Sequence, residues 1–127
     1  MIDHVSLGVT DLERSRAFYD AALKPLGMTR IFDHDGGLGY GAGGKPTFWI
    51  GTPLDAGRPA RAGGGTHIAF GAADRKAVDE FHRAALAAGA TDDGKPGLRP
   101  IYHADYYGAF VLDPDGHKIE ACCHSPA

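Results

Sequence analysis

Apolar and polar residues alternate at the start of the chain, with Val5, Leu7 and Val9 on one side and His4, Ser6 and Gly8 on the other. A strand with one buried face reads this way. The period then lengthens, and Leu12, Phe18, Tyr19, Ala22, Leu23 and Leu26 form a stripe at helical spacing. Thr10-Asp11-Leu12-Glu13 has the form of a capping box ahead of that helix, and Gly27 can end it. Beyond it, turn residues separate short runs near 28–33, 38–42 and 46–51, which predict three strands.

The same succession then repeats. Residues 67–74 read HIAFGAAD where residues 4–11 read HVSLGVTD. A shift of 63 positions aligns residues 4–23 with 67–86, and seven of the twenty pairs are identical, His4/His67, Gly8/Gly71, Asp11/Asp74 and Phe18/Phe81 among them. Unrelated segments of ordinary composition would share about one or two. Ile68 and Phe70 take one strand face, and a helix from Asp74 to Gly89 buries Val78, Phe81, Ala85 and Leu86. Strands follow near 98–103, 107–112 and 117–123. The order βαβββ is thus predicted twice, the mark of an internal duplication. Module 1 covers about residues 1–53, a linker residues 54–65 with the glycines 63–65, and module 2 about 66–127 of a single domain.

His4 and His67 are equivalent positions, both turned from the apolar side of their strands. The turn Asp113-Pro114-Asp115-Gly116 sets the register of the last strand. Ile119, Ala121 and Cys123 then face the helices, and Glu120 shares the opposite face with Lys118, Cys122 and His124.

Composition narrows the function. Hydrophobic residues at 43% and charged residues at 23% describe an ordinary globular domain. A net charge of −3 with mixed signs provides no basic stripe for nucleic acid and no cationic face for a membrane. No apolar run approaches the roughly 20 residues a transmembrane helix needs, and the first residues lack a signal-peptide pattern, so a cytoplasmic protein with a small-molecule partner is expected. Cys122 and Cys123 are neighbours, which speaks for reduced thiols rather than a disulfide framework.

Three segments, HVSLGVTDLERSRAFY, THIAF and VLDPDGHKIEA, resemble in order and spacing the vicinal oxygen chelate superfamily. Glyoxalase I, extradiol dioxygenases, fosfomycin-resistance transferases and bleomycin-resistance proteins belong to it. The resemblance implies an α+β fold in which two βαβββ modules form a curved mixed sheet. It also implies a divalent metal ion, one of Mn, Fe, Ni, Co or Zn, on His4, His67 and Glu120. Two imidazoles and a carboxylate suit such an ion and leave positions open for vicinal substrate oxygens.

Departures from each branch narrow the implied reaction. Where glyoxalase I supplies a further carboxylate from module 1, Trp49 stands here, aligned with Glu120. Where extradiol dioxygenases place a tyrosine ten residues before the glutamate, this chain has Phe110. Ser6 can stand for the active-site hydroxyl of the fosfomycin transferases, but no arginine follows Glu120 to hold a phosphonate.

The segment PIYHADYYGAFV, residues 100–111, gathers acid, base and aromatic groups ahead of the last hairpin. It gives His103 as a proton shuttle and Tyr107 as a substrate hydrogen-bonding partner, the alternative being aromatic packing on an edge strand. Ser6, Trp49 and Tyr102 are the expected substrate-binding residues. GGLGYGAGG, residues 36–44, is expected to be a mobile turn, and His34, His82 and His117 to be surface residues. The resemblance leaves two functional classes, a metal-dependent small-molecule enzyme and a metal-free ligand-sequestering protein of the bleomycin-resistance type. It further implies a homodimer in which module 1 of one chain meets module 2 of the other.

Overall fold

A computed structural model describes residues 1–34, 36–53 and 57–127; residues 54–56 of the predicted linker lie outside the described residues. Module 1 runs β1 (Val5–Gly8), α1 (Leu12–Ala22), β2 (Thr29–His34), β3 (Gly37–Gly41) and β4 (Phe48–Gly51). Module 2 repeats it as β5 (His67–Gly71), α2 (Arg75–Ala87), β6 (Thr91–Leu98), β7 (Tyr107–Leu112) and β8 (Lys118–Cys123). The strands form two four-stranded sheets, ordered β1-β4-β3-β2 and β5-β8-β7-β6. In each, the first strand pairs in parallel with the last and the other neighbours are antiparallel. The βαβββ order holds in both modules, as two mixed sheets.

Alternation decides which side of each sheet is buried. Leu38, Tyr40, Phe48 and Ile50 of module 1 and Ala109, Val111, Ile119, Ala121 and Cys123 of module 2 are buried against the helices. Phe18, Tyr19 and Ala22 of α1 and Val78, Phe81 and Ala85 of α2 join them in one hydrophobic cluster. Phe48 and Phe70 meet edge to face across the modules, with ring centroids 5.1 Å apart. The two sheets therefore share a core on their helix sides, and each turns its other face away from that core. Leu86, expected inside, is 38% exposed, because it falls off the α2 stripe that meets the sheet.

The cap of α1 differs from the expected box. Asp11 is the N-cap and accepts from the Arg14 N–H at 3.1 Å, as Asp74 does from Ala77 at 2.8 Å in α2. Thr10 is thereby released to reach the other module, where its hydroxyl donates to Asp115 Oδ1 at 2.6 Å and its N–H to the same oxygen at 3.2 Å. Buried Asp113 accepts from the Tyr19 hydroxyl at 2.5 Å and from the N–H groups of Asp115 and His117, each at 2.9 Å. His117 Nε2–H donates to the Gly8 carbonyl at 2.7 Å. The DPDGH turn thus fastens module 2 to the junction between β1 and α1.

Two strand expectations change. The strand placed near 98–103 lies at Thr91–Leu98, and residues 99–106 form its loop to β7, with turns closed by Tyr102 N–H to Arg99 O and Tyr106 N–H to His103 O. Strand β6, TDDGKPGL, is a polar outer strand with register shifts and a proline, so it lacks the apolar alternation that reveals a half-buried strand. The expected mobile turn at 36–44 contains β3, flanked by Gly36 and by Gly43 and Gly44, all at positive φ. His82 and His117, expected at the surface, are both 8% exposed, and His82 bonds Asp92 at 2.9 Å. Among the described residues no helix is long and apolar enough to cross a membrane.

Candidate functional site

The faces turned away from the shared core carry His4, Ser6 and Trp49 in module 1 and His67 and Glu120 in module 2. In module 2, Glu120 lies across from Phe110 on β7 and from Ala69 on β5, and Cys122 lies across from Gly108. Although it belongs to the outer face, Glu120 is 2% exposed. A buried carboxylate needs donors, and two supply them. His67 Nε2–H donates to Oε1 at 3.1 Å, and the Tyr106 hydroxyl donates to Oε2 in a short hydrogen bond. Since a carboxylate only accepts, the bond assigns the proton to His67 Nε2. Gly108 leaves room for the arrangement: a Cβ there would stand 3.1 Å from Glu120 Oε2 and 3.2 Å from the Tyr106 ring. Burial, reinforced by the bond to Glu120, pushes the Tyr106 phenol far above its ordinary range, so it remains a donor. Burial likewise pushes the Cys122 thiol up.

Tyr106 is also the inner member of a cluster of rings. The Tyr102, His124 and His103 rings stand 4.8, 5.0 and 5.5 Å from it, centroid to centroid. His103 Nδ1 accepts from the Asp105 N–H at 3.1 Å, which leaves its Nε2–H to donate to His124 Nδ1 at 2.8 Å. His103 therefore stands beside Tyr106, with its ring nitrogens engaged by Asp105 and His124. Tyr107 points the other way. Its hydroxyl donates to Asp79 of α2 at 2.6 Å, and the Arg75 guanidinium lies 5.3 Å from its ring centroid. The tyrosine brought to the carboxylate is Tyr106, whereas Tyr107, expected to hydrogen-bond substrate, is engaged with Asp79. The parity was legible: Ala109 and Val111 are core residues, so Tyr107 faces in with them and Tyr106 faces out with Gly108 and Phe110.

Module 1 carries a different surface. Ser6 is paired with Trp49 across β1 and β4, and both line an open cavity of about 380 Å³ together with His4, His34, Thr52 and Pro53. The Phe32, His34 and Trp49 rings are in mutual contact, with centroids 5.6 to 6.2 Å apart. His34 was missed because the alternation of β2 is weak, five of its six residues being exposed. His4 is exposed and its Nδ1 lies 2.7 Å from Asp3.

A metal ion on His4, His67 and Glu120 of one chain does not fit this arrangement. His67 and Glu120 are in contact, but His4 belongs to the outer face of the other module. Among the described residues, no three His, Cys, Asp or Glu side chains of the chain converge as a cation site.

The model of the Glyoxalase/Bleomycin resistance protein/Dioxygenase superfamily matches residues 1–121. The chain belongs to this superfamily. A solved glyoxalase/bleomycin resistance protein from Albidiferax ferrireducens T118 is 38% identical, with a TM-score of 0.87 over 95% of this chain and 97% of that one. A glyoxalase/bleomycin resistance protein/dioxygenase family enzyme from Burkholderia phytofirmans PsJN, 23% identical, shares the fold with a TM-score of 0.75 over 98% of both chains. So does the fosfomycin resistance protein FosX from Listeria monocytogenes, at 20% identity and a TM-score of 0.69 over 98% of this chain and 93% of that one. No curated protein matches the sequence significantly.

Proposed function

We propose that this superfamily member is a small-molecule-binding protein that takes its ligand on the outer face of module 1, in the manner of the ligand-sequestering branch. The observation that carries this reading is the division of the two faces. His4 stands on module 1 and His67 with Glu120 on module 2, and among the described residues they do not converge as a cation site, whereas the cavity over Ser6 and Trp49 is lined within one module. It is concave and largely apolar, with a few polar groups at its edge, as small-molecule sites generally are. Thermal denaturation of metal-stripped protein against a library of small molecules tests it. A ligand that raises the midpoint without added metal supports the reading, and a ligand that does so only with a divalent ion overturns it.

A second reading is favoured by the pairing of His67 with Glu120. Two ligand side chains are already in contact on module 2, and His4 is presented on the outer face of module 1. A homodimer that laid module 1 of one chain over module 2 of its partner would join His4 of one subunit to His67 and Glu120 of the other, twice by symmetry. The joint site would hold a divalent ion whose open positions accept vicinal oxygens, a metalloenzyme of the lyase, transferase or dioxygenase kind. Its donor set suits the ion, but Tyr106 and His67 must first yield the Glu120 oxygens they now occupy. Metal analysis of protein purified without a histidine tag tests this reading: one equivalent per chain, lost in Glu120→Ala, supports it.

A further inference from the structure

The strand GLGYG carries glycine at each position of its outer face, Gly37 lining the cavity and Gly39 lying beneath Trp49, while Leu38 and Tyr40 fill the core side. The indole of Trp49 uses the space this leaves. A Cβ on Gly39 would lie 3.0 Å from Cη2 and Cζ3 of that indole, and one on Gly37 would lie 3.4 Å from the His34 ring. The indole is thus laid down against bare backbone, with Phe32 and His34 beside it. Phe32 keeps 49% of its surface exposed, an apolar ring without cover. At the other side of the cavity stand the Ser6 hydroxyl and the His4 imidazole, and no Asp, Glu, Lys or Arg is among its described lining residues.

Resting on the ligand-binding reading, we infer that the ligand is a flat, uncharged aromatic or heteroaromatic molecule, stacked on Trp49 over the glycine face of β3 and hydrogen-bonded to Ser6. Offset stacking rewards a planar π system, and the glycine strand keeps the floor low. A phosphate or carboxylate ligand would meet no guanidinium or ammonium among the described lining residues. A quaternary ammonium would need rings held apart around it. Here the three rings already touch one another, so they form a wall and not a cage.

Trp49 is the only tryptophan in the chain, so its emission reports on this site alone. The experiment titrates the whole protein with coumarin, and with cyclohexanol and tetramethylammonium as controls, by Trp49 fluorescence and by calorimetry. Coumarin is expected to quench saturably below about 1 mM, with the controls at least tenfold weaker. Gly39→Ala should weaken coumarin at least tenfold and Ser6→Ala severalfold, while circular dichroism shows both variants folded. Should Gly39→Ala fail to fold, Ser6→Ala and Trp49→Phe, the latter read by calorimetry, keep the test open. Equal binding of cyclohexanol, preferential binding of tetramethylammonium, or no saturable coumarin quenching overturns the inference. So does loss of quenching as protein concentration rises, which would give the face to a second copy of the chain. If the library screen finds metal-independent ligands that leave Trp49 emission unmoved, this inference falls and the ligand-binding reading stands. If every ligand found requires metal, the underlying reading falls with it.

Discussion

Trp49 and Glu120 hold the same place in their two sheets. Trp49 lies across from Ser6 in the parallel β1–β4 pair, and Glu120 lies across from Ala69 in the parallel β5–β8 pair, Ser6 and Ala69 being equivalent in the duplication. One copy puts an indole there and the other a carboxylate, so the two outer faces have different chemistry despite their common fold. The indole rests on bare backbone at Gly39; the carboxylate is held by His67 and Tyr106 beside Gly108. Glycine makes the room in both cases, and what fills it differs.

Removing the Tyr106 hydroxyl should expose how firmly Glu120 is held. Tyr106→Phe leaves Oε2 without its donor in a site that is nearly closed to water. A hydrogen bond to a charged group contributes about 1.5–3 kcal/mol, so urea unfolding should show a loss of that order. Gly108→Ala should destabilise by ~1–3 kcal/mol, since its Cβ would crowd both the carboxylate and the phenol. Wild-type stability in both variants would remove Tyr106 and Gly108 as supports of the carboxylate.

The contact between Tyr19 and Asp113 should give stability that depends on alkaline pH. Burial first, and the neighbouring Asp113 second, raise the Tyr19 phenol well above its ordinary value of 10.0. The unfolded chain loses this proton near its ordinary pKa and the folded chain does not, so the unfolded state binds fewer protons above pH 10. Stability from this group is complete below that pH and declines as pH rises beyond it. Tyr19→Phe should cost about 1.5–3 kcal/mol at neutral pH, because Asp113 loses a donor, and should flatten the alkaline decline. Tyr40 and Tyr106 are raised as well, so a residual slope remains. An unaltered slope would show that Tyr19 is not buried against Asp113.

Both cysteines should be slow to react in the native protein. Cys123 is 2% and Cys122 8% exposed, and burial raises the Cys122 thiol, which lowers the share of reactive thiolate. A thiol-specific reagent at pH 8 should therefore modify both much faster in urea than in buffer. Immediate native labelling of one thiol would place Cys122 in the open.

The fold was readable because duplication and alternation agree. His4 to Leu23 and His67 to Leu86 announce the same strand and helix, and both were found at those places. Strand β6 was not readable, since a polar outer strand containing Pro96 and two bulges leaves no periodic trace. For the outer faces, alternation placed Glu120 correctly, and the same rule carried two residues back from Gly108 selects Tyr106 over Tyr107. The separation of His4 from Glu120 had no such signal. The modules are joined where the DPDGH turn binds Tyr19, Thr10 and the Gly8 carbonyl, contacts between residues about a hundred positions apart that alternation does not reveal.

That separation makes subunit mixing decisive between the two functional readings. His4→Ala and Glu120→Ala each damage one side of a site that two chains would share. In a heterodimer of the two variants, one joint site collects both lesions and the other is intact, so metal binding should recover to about half of the wild-type level per dimer. The variants are purified separately, stripped of metal, mixed in mild urea to exchange subunits, refolded and dialysed against Mn, Ni or Zn. The ligand-binding reading expects no recovery of metal, and coumarin binding in the Glu120→Ala protein equal to wild type, because Glu120 lies on the module that does not line the cavity. Recovery of metal in mixed dimers, absent from either variant alone, would establish a site built from two chains and give Trp49 a place in its wall. If heterodimers form and metal does not return, Glu120 belongs to the packing of module 2 with His67 and Tyr106.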